Sequence, residues 1–340
     1  MTLIETQQDR TDLPLVAIPS VFDDMIEPLR EAFPLLYGIA RVRMHTDHTF
    51  DTHEFVKRCA GAQAVIVINV HISDAMLTEL AGHVRVLAFG GTGVASYVNL
   101  DLAAKLGVRI CNVRHYGDAA VAEFAFALML EITRRVGALD RQLRDGSWDG
   151  APGLDLNGRT LAIVGLGGIG GTVARIANGF GMHVTAWDSG RGDPARFVTH
   201  NVAPVPTLTE LFAGADVVSV HMPLTDETHG MITSEHLDAM RPGTIFINTA
   251  RAEVIASGAL EKRLARGDIP AGLDVFDTEP LPADSPLRSM PNLVLTPHVA
   301  WRSDGANRNL TRQCVESIAS YFTGGDYNAV TPGVAWNTGK

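Results

Sequence analysis

The stretch Leu161–Asp188, LAIVGLGGIGGTVARIANGFGMHVTAWD, decides the reading of this chain. A short apolar run, Leu161 to Val164, enters a glycine-rich turn and then a segment of helical pattern. A second apolar run, His183 to Trp187, ends in Asp188. That order of strand, turn, helix, strand and acid is the signature of a dinucleotide-binding unit. The loop residues are Gly165, Leu166, Gly167, Gly168, Ile169 and Gly170. Gly165 permits the tight turn, Gly167 lets backbone approach a pyrophosphate, and Gly170 lets helix and strand pack closely. The following helix points its N-terminal N–H groups and positive dipole end at phosphate. Asp188 stands where a carboxylate accepts the ribose hydroxyls of an adenosine, and its charge repels a 2′-phosphate, so NAD is the predicted cofactor. Arg191, three residues later, bears on the same 2′ position.

The fingerprint begins after 160 residues, enough for a domain of their own. A chain of 340 residues with 46% hydrophobic content buries two cores more readily than one. Net charge is −10 with no basic cluster, which argues against nucleic acid or an anionic membrane as partner. Cys59, Cys111 and Cys314 are scattered and odd in number, so neither a disulfide framework nor a metal site is expected. The N-terminal stretch has no apolar core of signal-peptide length, and no window reaches membrane-spanning length. A soluble, cytoplasmic protein is the expectation.

Ahead of the fingerprint, Leu15–Pro19, Ile39–Met44, Ala64–Ile68, Val84–Phe89 and Arg109–Val113 read as strands separated by helical segments. Behind it, Asp216–His221, Thr244–Thr249, Ala271–Phe276 and Leu293–Thr296 continue the alternation. Such alternation predicts open parallel sheets. One long helix is expected over Ala119–Arg144, and a terminal helix from about Asp304 packs back onto the first half. The predicted division is a substrate domain, 1–113 with 304–340, and an NAD-binding domain, 114–303. The helix over 119–144 is apolar over so much of its surface, Phe126 included, that a homodimer built on it is expected.

Ligands of open parallel sheets bind beyond the carboxyl ends of strands. Arg251, Glu279 and His298 each follow a different predicted strand. Hydride transfer to a carbonyl needs a proton donor that works near neutral pH, which suits histidine. A carboxylate orients an imidazole, and a guanidinium holds an oxyacid's carboxylate with two parallel hydrogen bonds.

The motifs GTGVASYVNLD (91–101), VAEFAFALML (121–130), GLGGIG (165–170), HMPLTDETHG (221–230), INTAR (247–251), GLDVFDTEP (272–280) and LTPH (295–298) resemble those of the D-isomer-specific 2-hydroxyacid dehydrogenases. The resemblance implies two Rossmann-like or flavodoxin-like doubly wound α/β domains with the active site in the cleft between them. It further implies that Arg251 binds substrate carboxylate, that His298 is the general acid/base, and that Glu279 pairs with it. Backbone N–H groups of Thr92 and Gly93 would bind substrate, Thr249, Ala250 and Asp274 would lie near the nicotinamide, and Met222 and Pro223 would flank the adenine side. Departures fall at Arg114 and Ala252 and in the Val94-Ala95-Ser96 stretch. Arg114, Tyr116 and Trp301 are candidate pocket residues. The implied activity is reversible, NAD-dependent reduction of a small 2-oxoacid of glyoxylate or hydroxypyruvate type. The alternatives are D-lactate, phosphoglycerate, formate or phosphite oxidation on the same fold, or a non-catalytic NAD-sensing protein. The length leaves no room for the added regulatory domain of some phosphoglycerate enzymes.

Overall fold

The computed structural model describes residues 3–190 and 192–330. The described residues divide into two compact units, one running to residue 116 and resuming from residue 303, the other lying within 117–302.

The first unit is built on β1 (Leu3–Glu5), β2 (Leu15–Ile18), β3 (Arg41–His45), β4 (Ala64–Val67), β5 (Val86–Phe89) and β6 (Arg109–Cys111). Their order across the sheet is β1-β3-β2-β4-β5-β6. Pairing is parallel throughout except for the antiparallel edge strand β1. Successive residues of a strand point to opposite faces, and here both faces are apolar because both are covered. Ala17, Val65, Val67, Leu87 and Phe89 pack with Phe55, Leu77 and Ala103 from the helices Thr52–Arg58, Asp74–Leu80 and Leu100–Lys105. Those helices start where Asp51, Ser73 and Asn99 accept hydrogen bonds from first-turn N–H groups. Helices Asp23–Ala32 and Asp304–Phe322 pack together in the same unit, and Asn307 donates a hydrogen bond to the Asp24 carboxylate at 2.9 Å.

The second unit carries β7 (Thr160–Val164), β8 (His183–Trp187), β9 (Ala203–Pro204), β10 (Val217–Val220), β11 (Ile245–Asn248), β12 (Ala271–Leu273) and β13 (Leu293–Leu295). The order β13-β12-β11-β10-β7-β8-β9 is parallel throughout. Successive strands are added in opposite directions on either side of the β7–β10 pair, which is the switch point where such sheets bind ligands. Alternation along β7 sends Leu161 and Ile163 to one core and Ala162 and Val164 to the other. Helix Asp118–Arg134 lies so close to β12 that a Cβ at Gly272 would sit 2.9 Å from Leu128 Cβ.

Three expectations need correction. The helix expected over Ala119–Arg144 is two helices, Asp118–Arg134 and Val136–Arg144, broken at Arg135, whose φ is +54°. The Glu131 carboxylate accepts from Gly137 N at 3.0 Å and stabilises the break. Phe126 does not lie on an exposed face. It is buried in the core of its own unit and stacks on Phe180 at 5.1 Å between ring centroids. Between residues 119 and 154 the exposed large apolar side chains are instead Val136, Leu143, Trp148 and Leu154. Finally, β12 ends at Leu273, so Asp274 stands just beyond the strand. No helix among the described residues is long and apolar enough to cross a membrane.

Candidate active site

The turn after β7 is shaped as its glycines require. Gly165 has φ +96°, and a Cβ there would meet Met222 Sδ at 2.6 Å and His221 O at 2.9 Å. A Cβ at Gly170 would fall on the Gly165 carbonyl oxygen, so these backbones touch. A Cβ at Gly167 would meet nothing within 4 Å, so the space over it is open to a ligand. The helix Gly168–Gly179 starts there with no side chain capping it, and its first N–H groups, those of Gly168, Ile169 and Gly170 among them, are available to phosphate. This cradle fits a dinucleotide. Met222 is buried against Gly165, and the Pro223 carbonyl accepts from Thr228 Oγ1 at 2.6 Å.

Asp188 is largely buried and well supplied with donors. Its Oδ2 accepts from Leu166 N at 2.9 Å, and its Oδ1 accepts from Gly190 N at 3.1 Å and from Arg196 Nη2. Arg191 lies outside the described residues.

The second cluster forms at the carboxyl ends of β11, β12 and β13. Asn248, buried at the end of β11, accepts from Ala250 N at 3.0 Å and donates to Arg251 O at 3.0 Å. That clamp shapes the Thr249-Ala250-Arg251 turn. Arg251 Nη1 donates to the Ala250 carbonyl at 2.7 Å. The Thr249 hydroxyl is buried with no hydrogen-bond partner among the described residues.

Glu279 and His298 meet: Nδ1 and Oε2 are 2.7 Å apart, while Glu279 Oε1 accepts from Phe276 N at 3.0 Å. Burial works against the charge on Glu279. The hydrogen bonds from His298 and Phe276, with the nearby charge of Arg251, nevertheless hold its carboxyl below the ordinary value. An ionised Glu279 fixes the tautomer, because Nδ1 must then be the donor and Nε2 is left for chemistry. His298 sits at φ +54°, a backbone region that non-glycine residues rarely occupy. Asp274 holds it there. Its carboxylate accepts from Thr296 Oγ1 at 2.6 Å, Val299 N at 3.0 Å and Ala300 N at 2.8 Å. Burial pushes this carboxyl up from its ordinary value in spite of those donors. Trp301 Nε1 donates to His298 O at 3.1 Å, so the indole braces the same turn.

Thr92, Gly93 and Tyr116 belong to the first unit, and Arg251, Glu279 and His298 to the second. Thr92 Oγ1 donates to Val113 O at 3.1 Å, and Asn112 Nδ2 donates to Thr92 O at 2.8 Å, which fixes the Gly91-Thr92-Gly93 turn. The parts played by Asn248 and Arg196 were not foreseen from the sequence. A polar residue closing the apolar run of β11 was the available signal for the first. For the second there was none, since Arg196 lies on a helix of only five residues, Ala195–Thr199.

These arrangements have close parallels among known proteins. A family model described as D-isomer specific 2-hydroxyacid dehydrogenase, NAD binding domain, matches residues 126–300. A glyoxylate reductase of Korarchaeum cryptofilum is 38% identical over 278 residues, which cover 79% of this chain and 82% of the relative. A hydroxypyruvate reductase of Blautia hydrogenotrophica is 30% identical, over 82% of this chain and 88% of the relative. The apo structure of D-lactate dehydrogenase from Escherichia coli superposes with a TM-score of 0.82 at 28% identity, covering 93% of this chain and 99% of that one. The chain belongs to the D-isomer specific 2-hydroxyacid dehydrogenase family. It is an oxidoreductase that acts on the CH–OH group of small 2-hydroxyacids or on the corresponding 2-oxoacids, with NAD as cofactor.

Proposed function

We propose that this enzyme reduces a 2-oxoacid of the glyoxylate or hydroxypyruvate type to the D-2-hydroxyacid, reversibly and with NADH. The observation that carries the proposal is the hydrogen-bonded pair of His298 and Glu279, placed at strand ends beside Arg251. When bound, the nicotinamide supplies hydride to the carbonyl carbon. Arg251 holds the substrate carboxylate in a bidentate fork, which sets the carbonyl in one orientation. His298 Nε2 delivers a proton to the carbonyl oxygen as negative charge develops there. Glu279 keeps Nδ1 protonated and stabilises the imidazole while its charge changes. Asp274, through Val299 and Ala300, keeps the ring where Nε2 is exposed to substrate. The buried, unpartnered Thr249 hydroxyl and Ala250 are offered to the nicotinamide end, and Asp188 to the adenosine end.

Similarity to a glyoxylate reductase and a hydroxypyruvate reductase favours glyoxylate and hydroxypyruvate over the alternatives. The loss of NADH absorbance with a panel of glyoxylate, hydroxypyruvate, pyruvate and bulkier 2-oxoacids tests this directly. Turnover is expected to be fastest with the first two. Faster turnover with a bulkier oxoacid would move the substrate class, and no turnover with any of them would end the proposal.

The functional form is a homodimer resting on the helix Val136–Arg144 and the segment after it. Trp148 is 91% exposed and Val136 64%, an apolar display that a second copy would cover. Three free, buried cysteines are compatible with a cytoplasmic location.

A further inference from the structure

Asp188 is not a bare acid at the end of β8. Its carboxylate offers about four acceptor positions, and three are taken by Leu166 N, Gly190 N and Arg196 Nη2. Little is left for the two hydroxyls of an adenosine ribose. The guanidinium of Arg196, whose side chain is 20% exposed, has Asp188 as its only side-chain or carbonyl partner among the described residues. Its Nε is buried and makes no hydrogen bond. The Nη1 group rests against Gly192, where any Cβ would displace it, so the position of the guanidinium depends on that glycine. A planar cation is thus held beside the acid at the end of β8.

We propose that Arg196 is a specificity residue of the cofactor site and makes the adenosine end accept a 2′-phosphate, so that the enzyme binds NADP(H) as well as NAD(H). Charge supports this. Alone, Asp188 repels a phosphate, but the guanidinium bound to it cancels that repulsion at contact distance. Hydrogen bonding points the same way. Guanidinium groups bind phosphate through paired N–H donors, and the end-on pair of Arg196, Nη1 and Nη2, has only Asp188 to give up among the described residues. With a 2′-phosphate present, Arg196 exchanges one anionic partner for another. With a 2′-hydroxyl, it stays on Asp188. The inference rests on the dinucleotide site alone and not on which oxoacid is reduced.

Titration of the whole enzyme with NADH and NADPH, followed by nucleotide fluorescence and with no oxoacid present, tests it. The wild type should bind NADPH within about tenfold of NADH, because the charge at the 2′ position is already balanced. Arg196→Ala should lower the affinity ratio of NADPH to NADH by about tenfold or more, with Arg196→Lys recovering part of the loss. A second measurement needs no variant: adenosine 2′,5′-bisphosphate should compete against NADH better than adenosine 5′-monophosphate does. A wild type that excludes NADPH and prefers the monophosphate would overturn the proposal. So would an Arg196→Ala protein that folds and keeps the wild-type ratio. Because no substrate is present, failure to reduce any oxoacid would leave these results unaffected.

Discussion

Arg251 illustrates how one side chain is given a role by its surroundings. It follows β11 in a turn that Asn248 closes from both sides, and its own guanidinium lies over the Ala250 carbonyl. Its charge favours ionisation of Glu279, which in turn sets the tautomer of His298. Replacing Arg251 with Lys keeps the charge but loses the planar fork, so KM for the oxoacid should rise by about tenfold or more, with a fall in kcat from misorientation. Steady-state kinetics at saturating NADH would show this, and unchanged constants would remove Arg251 from substrate binding. Each of Arg251, Glu279 and His298 was legible in the sequence because each follows an apolar run, and strand ends are where parallel sheets bind ligands. The supports were not legible. Asp274 was expected beside the nicotinamide, but its three donors, Thr296, Val299 and Ala300, come from a segment distant in sequence that only folding brings to it.

Individual strands of both sheets were legible to within a residue or two wherever both faces are buried, as in β7 and β10. The exceptions have physical causes. β1 is an antiparallel edge strand of three half-exposed residues, and β9 is an exposed pair, so neither shows an apolar run. The run at Ala271–Phe276 outlasts β12 because Val275 and Phe276 stay buried after the strand pairing ends. The break at Arg135 is invisible to periodicity because Glu131 caps the second helix through its side chain. At the end of β10, His221 is enclosed beside the glycine turn, with Nε2 2.8 Å from Ser219 Oγ and Nδ1 without a partner among the described residues. Burial pushes its pKa down from 6.5 to about 3. The unfolded chain therefore binds a proton between those values that the folded chain does not. Stability is full above pH 6.5 and falls as the medium is acidified towards 3, by up to about 1.4 kcal/mol per pH unit. Thermal melts at pH 7 and pH 5 should show this loss, with a shallower pH slope in His221→Gln than in the wild type. Equal slopes would show that His221 does not titrate in this way.

At the scale of the whole molecule, the arm beyond Arg135 matters most, since it exposes Val136, Leu143, Trp148 and Leu154 in sequence proximity. Twofold pairing presents the same patch from each copy, so one substitution acts twice in the interface. Leu143→Glu together with Trp148→Ser should convert a dimer to monomers without melting the core, because neither residue is buried within the protomer. Light scattering on the native protein and the double variant checks this, and a native monomer at micromolar concentration would contradict it. Phe126→Glu is no test of the interface: truncating a buried phenylalanine alone costs about 3–5 kcal/mol, so that variant would unfold first. The central claim is that His298, held by Glu279, moves the proton in a reduction driven by NADH. It is tested most directly by measuring kcat and NADH affinity together for wild type and His298→Asn with glyoxylate. The expected result is a fall in kcat of about 10²–10⁴-fold with NADH binding retained; a variant that binds NADH and turns over at the wild-type rate would contradict it.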